Sequence, residues 1–147
     1  MSLEIAQPKS FQEIFIDNLP FEWTISRIKN VSTIYGRIGY RGYTIADIVD
    51  ENSGALSVSP GNIFDDKFTL KSKTFISWEK YYQSPEIMLF ENDIVVVKTG
   101  STIGKVALVP QISYSLTLNP QVVVLKKIKL DQLFFYYFLT TDFIRCV

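Results

Sequence analysis

Between Lys98 and Lys105 the chain sets two ammonium groups, the hydroxyls of Thr99, Ser101 and Thr102, and glycines at 100 and 104 within eight residues. Cations and hydroxyl donors held together on a tight loop can grip an anion, as phosphate-binding surfaces do. The loop lies between two apolar runs, Ile94-Val95-Val96-Val97 and Val106-Ala107, so two strands must present it. It is not a nucleotide-binding P-loop, which needs four residues between its glycines and a hydroxyl after the lysine. Here only Ser101, Thr102 and Ile103 separate Gly100 from Gly104, and Val106 stands where the metal-binding hydroxyl belongs. Val95-Val96-Val97-Lys98 has the look of a kinase lysine strand, but no glycine-rich loop precedes it and no catalytic motif follows. No ATP site is expected.

Two other groups could touch a polyanion. Gly36, Gly39 and Gly42 alternate with Arg37, Tyr40, Arg41 and Tyr43. Glycines let a backbone turn sharply or approach a partner closely, while arginine offers a planar fork of donors and tyrosine a flat face. Arg37, Tyr40 and Arg41 are candidates for contacts to base edges or to the backbone, since arginine pairs bidentately with guanine. Lys67, Lys71 and Lys73 form a third basic cluster on a turn-rich segment. Lysines that merely solubilise strand ends are the plain alternative for all such clusters.

Composition narrows the chemistry further. The 147 residues are 47% hydrophobic and 14% aromatic, enough to bury one real core. Histidine is absent and Cys146 is the single cysteine. The commonest general base, a structural zinc site and an internal disulfide framework are therefore all missing. No metal or other cofactor is expected, nor a small-molecule substrate. Asp65-Asp66 and Asp93 read as turn carboxylates rather than a catalytic pair. One cysteine suits a reducing cytosol, no basic-then-apolar leader opens the chain, and the longest apolar stretch, residues 133–147, is broken by Asp142 and Arg145. A cytoplasmic protein without a membrane span is the expectation.

Net charge is zero, yet unevenly spread. Residues 1–66 hold five Lys/Arg and nine Asp/Glu, a balance of −4, and residues 67–147 hold ten and six, a balance of +4. Between Asp93 and Asp131 there is no acidic residue but there are five lysines, 98, 105, 126, 127 and 129. A phosphate backbone selects such a local positive field.

Periodicity supplies the elements that must position these groups. Residues 8–17 predict a short helix with Phe11, Ile14 and Phe15 aligned, broken by Asn18-Leu19-Pro20. Residues 22–28 predict an opening strand or turn with Trp23, Ile25 and Ile28 buried. Strands are expected at 55–58 and 74–77, separated by the turns Pro60-Gly61-Asn62 and Asp65-Asp66, with a brief helix at 78–83 ended by Ser84-Pro85. The strongest strands are 94–97, 105–109 and 121–126. Residues 131–144 predict a closing helix with Leu133, Phe134, Tyr137, Phe138 and Leu139 on its core face and Asp131 at its positive end. Together these give an α+β fold, a single compact domain of short mixed strands with a few helices.

Several blocks, in this order, resemble the target recognition domain of type I restriction–modification DNA-specificity subunits. Leu19-Pro20-Phe21-Glu22-Trp23 is similar to the family's leucine-proline-x-glycine-tryptophan opening, with Glu22 in place of the glycine. Arg37-Ile38-Gly39-Tyr40-Arg41-Gly42 resembles an arginine-isoleucine-glycine-aromatic-x-glycine segment. Gly61-Asn62-Ile63, Phe75-Ile76-Ser77, the stretch from Asn92-Asp93-Ile94 to Lys105, Leu118-Asn119-Pro120 and the aromatic helix from Leu133 to Phe143 follow. The resemblance runs from Leu19 to the end.

What the resemblance implies is recognition without catalysis. A whole specificity subunit carries two such domains joined by long helices, each reading one half of a split double-stranded DNA site. Methyltransferase and restriction subunits, its partners, do the chemistry. The expected organisation is a leader or short helix over 1–18 and one recognition domain over 19–147, truncated before the spacer helix and second domain. Within it, Lys98, Thr99, Ser101 and Lys105 are expected at phosphates. Two other classes stay open: the recognition part of a fused restriction–methylation enzyme, and a protein-interaction module without DNA binding.

Overall fold

The β-branched run Ile94–Val97 (β7 in chain order) explains the layering. Successive strand residues face opposite sides, and here both sides are buried. Val95 and Val97 pack into one apolar cluster and Ile94 into a second, with Val96 packed against the latter. A strand covered on both faces needs no polar alternation, which is why Ile-Val-Val-Val reads as a continuous apolar run.

The computed structural model describes residues 19–145; the helix expected at 8–17 lies outside the described residues. In chain order the strands are β1 (Thr33–Gly36), β2 (Ile48–Val49), β3 (Gly54–Val58), β4 (Ile63–Phe64), β5 (Lys67–Phe68), β6 (Phe75–Ser77), β7, β8 (Val106–Leu108), β9 (Leu116–Leu118) and β10 (Val122–Lys126). The helices are α1 (Ile28–Val31), α2 (Trp78–Tyr82), α3 (Gln132–Leu139) and α4 (Asp142–Arg145). One antiparallel sheet has the order β1-β10-β7-β8 and a second has β2-β6-β3-β9, with β3 and β9 parallel. Leu56, Val58, Phe75, Leu116 and Leu118 of the second sheet meet Val95, Val97, Val122 and Val124 of the first in the main core. On the other face of the first sheet, Ile94, Val106 and Leu125 receive Phe135 and Leu139 of α3. This is the α+β class expected, three layers deep, and no described helix is long and apolar enough to cross a membrane.

Local chemistry sets the ends of the elements. Ser77 Oγ accepts the Lys80 amide at 3.4 Å to start α2, and the helix stops before Ser84-Pro85 as the sequence predicts. Asp131 caps α3, its Oδ1 accepting the Phe134 amide at 2.8 Å. Asp65 and Asp66 both take left-handed backbone angles, φ 45° and 56°, making the tight turn of the β4–β5 hairpin. Gly54 must be glycine: a Cβ there would lie 2.0 Å from the Ile76 carbonyl oxygen.

Three expectations are corrected. The opening element is the turn and not the strand of the two expected, the Trp23 amide donating to the Pro20 carbonyl at 2.9 Å, but Trp23, Ile25 and Ile28 are 52%, 69% and 37% exposed rather than buried. They line a cleft of about 510 Å³ with Phe134 and Phe138. The closing helix is two pieces, because the Thr140 and Thr141 hydroxyls donate to the Tyr137 and Phe138 carbonyls at 2.7 Å and end the first. Its buried face is Phe135 with Leu139, while Leu133, Phe134 and Tyr137 are exposed and Phe138 is half-buried. In Gln132–Leu139 every position after the first is apolar or aromatic, so periodicity alone has no polar face to choose against.

Candidate nucleic-acid interface

The loop from Lys98 to Lys105 joins β7 to β8 at the end of the first sheet. Its base is closed by the Val97 amide on the Lys105 carbonyl and the Gly104 amide on the Val97 carbonyl, both 2.9 Å. The Lys98 amide donates to Gln121 at 2.9 Å and so ties the loop to the start of β10. Gly100 and Gly104 sit at φ 102° and 85°, a region L side chains rarely enter. Turns from Ile103 to Gly100 and from Lys105 to Thr102, at 3.3 and 3.2 Å, compact the remainder. Lys98, Thr99 and Ser101 are exposed and Lys105 is half-buried.

The fold joins this loop to the two other candidate groups. A carbon placed on Gly36 would stand 3.8 Å from Lys98 Nζ, so this ammonium lies against the start of the glycine–arginine segment. On its other side, Lys105 Nζ lies 6.0 Å from the centroid of Phe64 and Lys71 Nζ lies 5.1 Å from the same centroid. Two cations from separate segments thus converge on one ring that is 57% exposed. Lys67, exposed, is the cross-strand partner of Phe64. Among the described residues, Lys67, Lys71, Lys98 and Lys105 make no ion pair with a carboxylate.

The other candidates part from this group in instructive ways. Arg37 is 4% exposed. Its Nε donates to Leu118 O at 2.8 Å, one terminal nitrogen to Thr117 Oγ1 at 2.9 Å and the other to Arg41 O at 3.1 Å. Burial pulls its pKa below the ordinary guanidinium value, with Tyr43 and Glu86 opposing. Arg37, a candidate for contact to a base edge or to the DNA backbone, has its guanidinium engaged within the fold in this structure. Arg41 stays half-buried, with Nη1 3.3 Å from Glu86 Oε1 and its guanidinium 5.5 Å from the centroid of Tyr40. Tyr40 is 79% exposed. Lys73 is exposed but engaged: Nζ donates to Glu51 Oε1 at 3.1 Å and Tyr114 Oη at 3.2 Å. Hydrogen bonds to Tyr114 and then to Glu51 raise the Lys73 pKa, and those from Tyr114 and Lys73 lower that of Glu51.

Two organising residues escape sequence reasoning. Asn62 is fully buried; its Oδ1 accepts the Ser59 amide at 3.0 Å and its Nδ2 donates to the Thr69 and Ser72 carbonyls at 3.0 and 2.6 Å. It shapes the segment that carries Lys67, Lys71 and Lys73; the sequence marks it only as part of the Pro60-Gly61-Asn62 turn and the Gly61-Asn62-Ile63 block, with no sign of its burial. Asp66 accepts the Val106 amide at Oδ1, 3.2 Å, and the Tyr136 hydroxyl at its carbonyl. Nothing in the sequence links those three positions. Among the described residues no group of three or more His, Cys, Asp and Glu side chains gathers as a metal site would require.

No family model matches this chain, and no curated protein matches it by sequence. By structure it is similar to a chain from work on the structural basis underlying complex assembly and conformational transition of the type I R-M system, with a TM-score of 0.58 and 13% identity. The match covers 87% of this chain and 31% of that one. The chain thus has an α+β fold found within a component of a type I R-M system, and spans less than a third of that component's length.

Proposed function

We propose that this chain recognises double-stranded DNA as one half-site reader of a type I restriction–modification specificity subunit, directing methyltransferase and restriction partner subunits in the cytoplasm. The observation that carries the reading is the convergence of Lys71 and Lys105 on exposed Phe64, beside a hydroxyl-bearing loop with no pairing carboxylate among the described residues. The fold likeness and the ordered motifs support it. Lys67, Lys71, Lys98 and Lys105, with Thr99 and Ser101, hold phosphates and fix the register. Tyr40 and Arg41, the latter on leaving Glu86, are the proposed readers of a base edge, and Arg37 holds their segment in place. Lys73 contributes least, being neutralised by Glu51. The chain performs no chemistry and takes no cofactor.

Titration of the full chain with double-stranded DNA of random sequence at two salt concentrations tests the reading. Neutralising several phosphates makes log K fall steeply with log salt. Binding that ignores salt, or no binding below millimolar concentrations, would leave an interaction module as the better account.

A further inference from the structure

β8 is the edge strand of its sheet, and an edge leaves amides that need cover. The Val106 amide, one residue past Lys105, finds it in Asp66 Oδ1 at 3.2 Å. Asp66 sits in the left-handed turn of the β4–β5 hairpin, and its carbonyl accepts the hydroxyl of Tyr136 on α3. One turn residue is therefore held by a strand through its carboxylate and by a helix through its main chain. The same hairpin carries Phe64, the ring on which Lys71 and Lys105 converge. Tyr136 packs against the cluster under the far face of the sheet, outside the basic group itself.

We infer that Tyr136 is a positioning residue for the two-cation seat at Phe64: its phenol pins the β4–β5 hairpin against β8 and so sets Lys71 and Lys105 over one ring. The ligand of that seat, a phosphate of the DNA backbone, rests on the function proposed above; the pinning itself does not. Burial raises the pKa of this phenol above the ordinary tyrosine value.

Tyr136→Phe tests it, keeping the ring and removing only the O–H. In the full chain, the ε-methylene protons of Lys71 and Lys105 carry a ring-current shift from Phe64, measurable by NMR against Phe64→Leu. The expected result is that Tyr136→Phe moves both signals towards the Phe64→Leu values and speeds hydrogen exchange at the Val106 amide. On random-sequence DNA it should weaken binding by roughly 2- to 10-fold, the scale of one hydrogen bond, and have no effect in a Lys71→Ala/Lys105→Ala background. Unchanged lysine signals and Val106 exchange would overturn the inference whatever DNA does. An equal loss of binding in the double-lysine background would also overturn it, because Tyr136 would then act through general stability. Lysine signals that move in a chain that binds no DNA would uphold the pinning and sink the DNA reading instead.

Discussion

Arg37 donates from Nε to the carbonyl oxygen of Leu118 at 2.8 Å, across 81 positions of sequence. That bond carries the glycine–arginine segment onto the parallel β3–β9 pair, so the seat of exposed Tyr40 rests on a buried side chain. Arg37→Ala strands the Leu118 carbonyl and the Thr117 hydroxyl and is expected to cost about 1–3 kcal/mol for each acceptor left without a donor. Arg37→Lys should not restore it, since an ammonium cannot reproduce the planar fork. Urea midpoints of the three proteins decide this, and a wild-type midpoint for Arg37→Ala would remove Arg37 from the frame.

If the chain reads DNA as proposed, its phosphate contacts and base contacts separate by sequence dependence. Lys98→Ala with Lys105→Ala should weaken binding almost equally on every DNA sequence and lower the salt slope by about one per lost contact. Arg41→Ala should cost about 1–3 kcal/mol on a cognate half-site and little elsewhere. Fluorescence titrations on cognate and scrambled duplexes at two salt concentrations would measure both. Preference that shifts with the lysines and not with Arg41 would reverse the two roles.

The face of α3 that matters for stability is the one bearing Phe135 and Leu139. Phe135, 3% exposed, should cost about 3–5 kcal/mol on truncation to alanine, cavity included. Phe138→Ala should cost less, because its ring is half-buried and borders the open cleft. Thermal unfolding of the two variants ranks them, and the reverse order would place the core on the other side of the helix.

Alkaline pH should weaken the fold through Tyr81 and Tyr136, whose pKa values burial raises above the ordinary tyrosine value. A proton held more tightly in the folded state stabilises it fully below the unfolded value of about 10 and is lost as pH climbs through the raised folded value. Tyr136→Phe should therefore flatten the fall in unfolding midpoint above that pH. A fall of the same steepness in wild type and Tyr136→Phe would assign the alkaline loss elsewhere.

Much of this architecture was legible from local chemistry. The strands 94–97, 105–109 and 121–126, the Asp65-Asp66 turn, the placing of Asp131 at the start of its helix and the stop at Ser84-Pro85 each depend on neighbouring residues only, and each is found close to where the sequence predicts it. The Lys98–Lys105 loop was legible too, since a glycine-hinged polar link between two apolar strands has few other forms. Faces and partners were decided by tertiary structure. Whether α3 buries Phe134 or Phe135 depends on which side meets Ile94 and Leu125, and an all-apolar helix carries no record of that choice. Whether an arginine reads DNA or holds a carbonyl depends on a strand 81 positions away. That Lys71 and Lys105 share one ring was likewise decided by the hairpin's seat on an edge strand, because charge is written in sequence while proximity between distant segments is made only by packing.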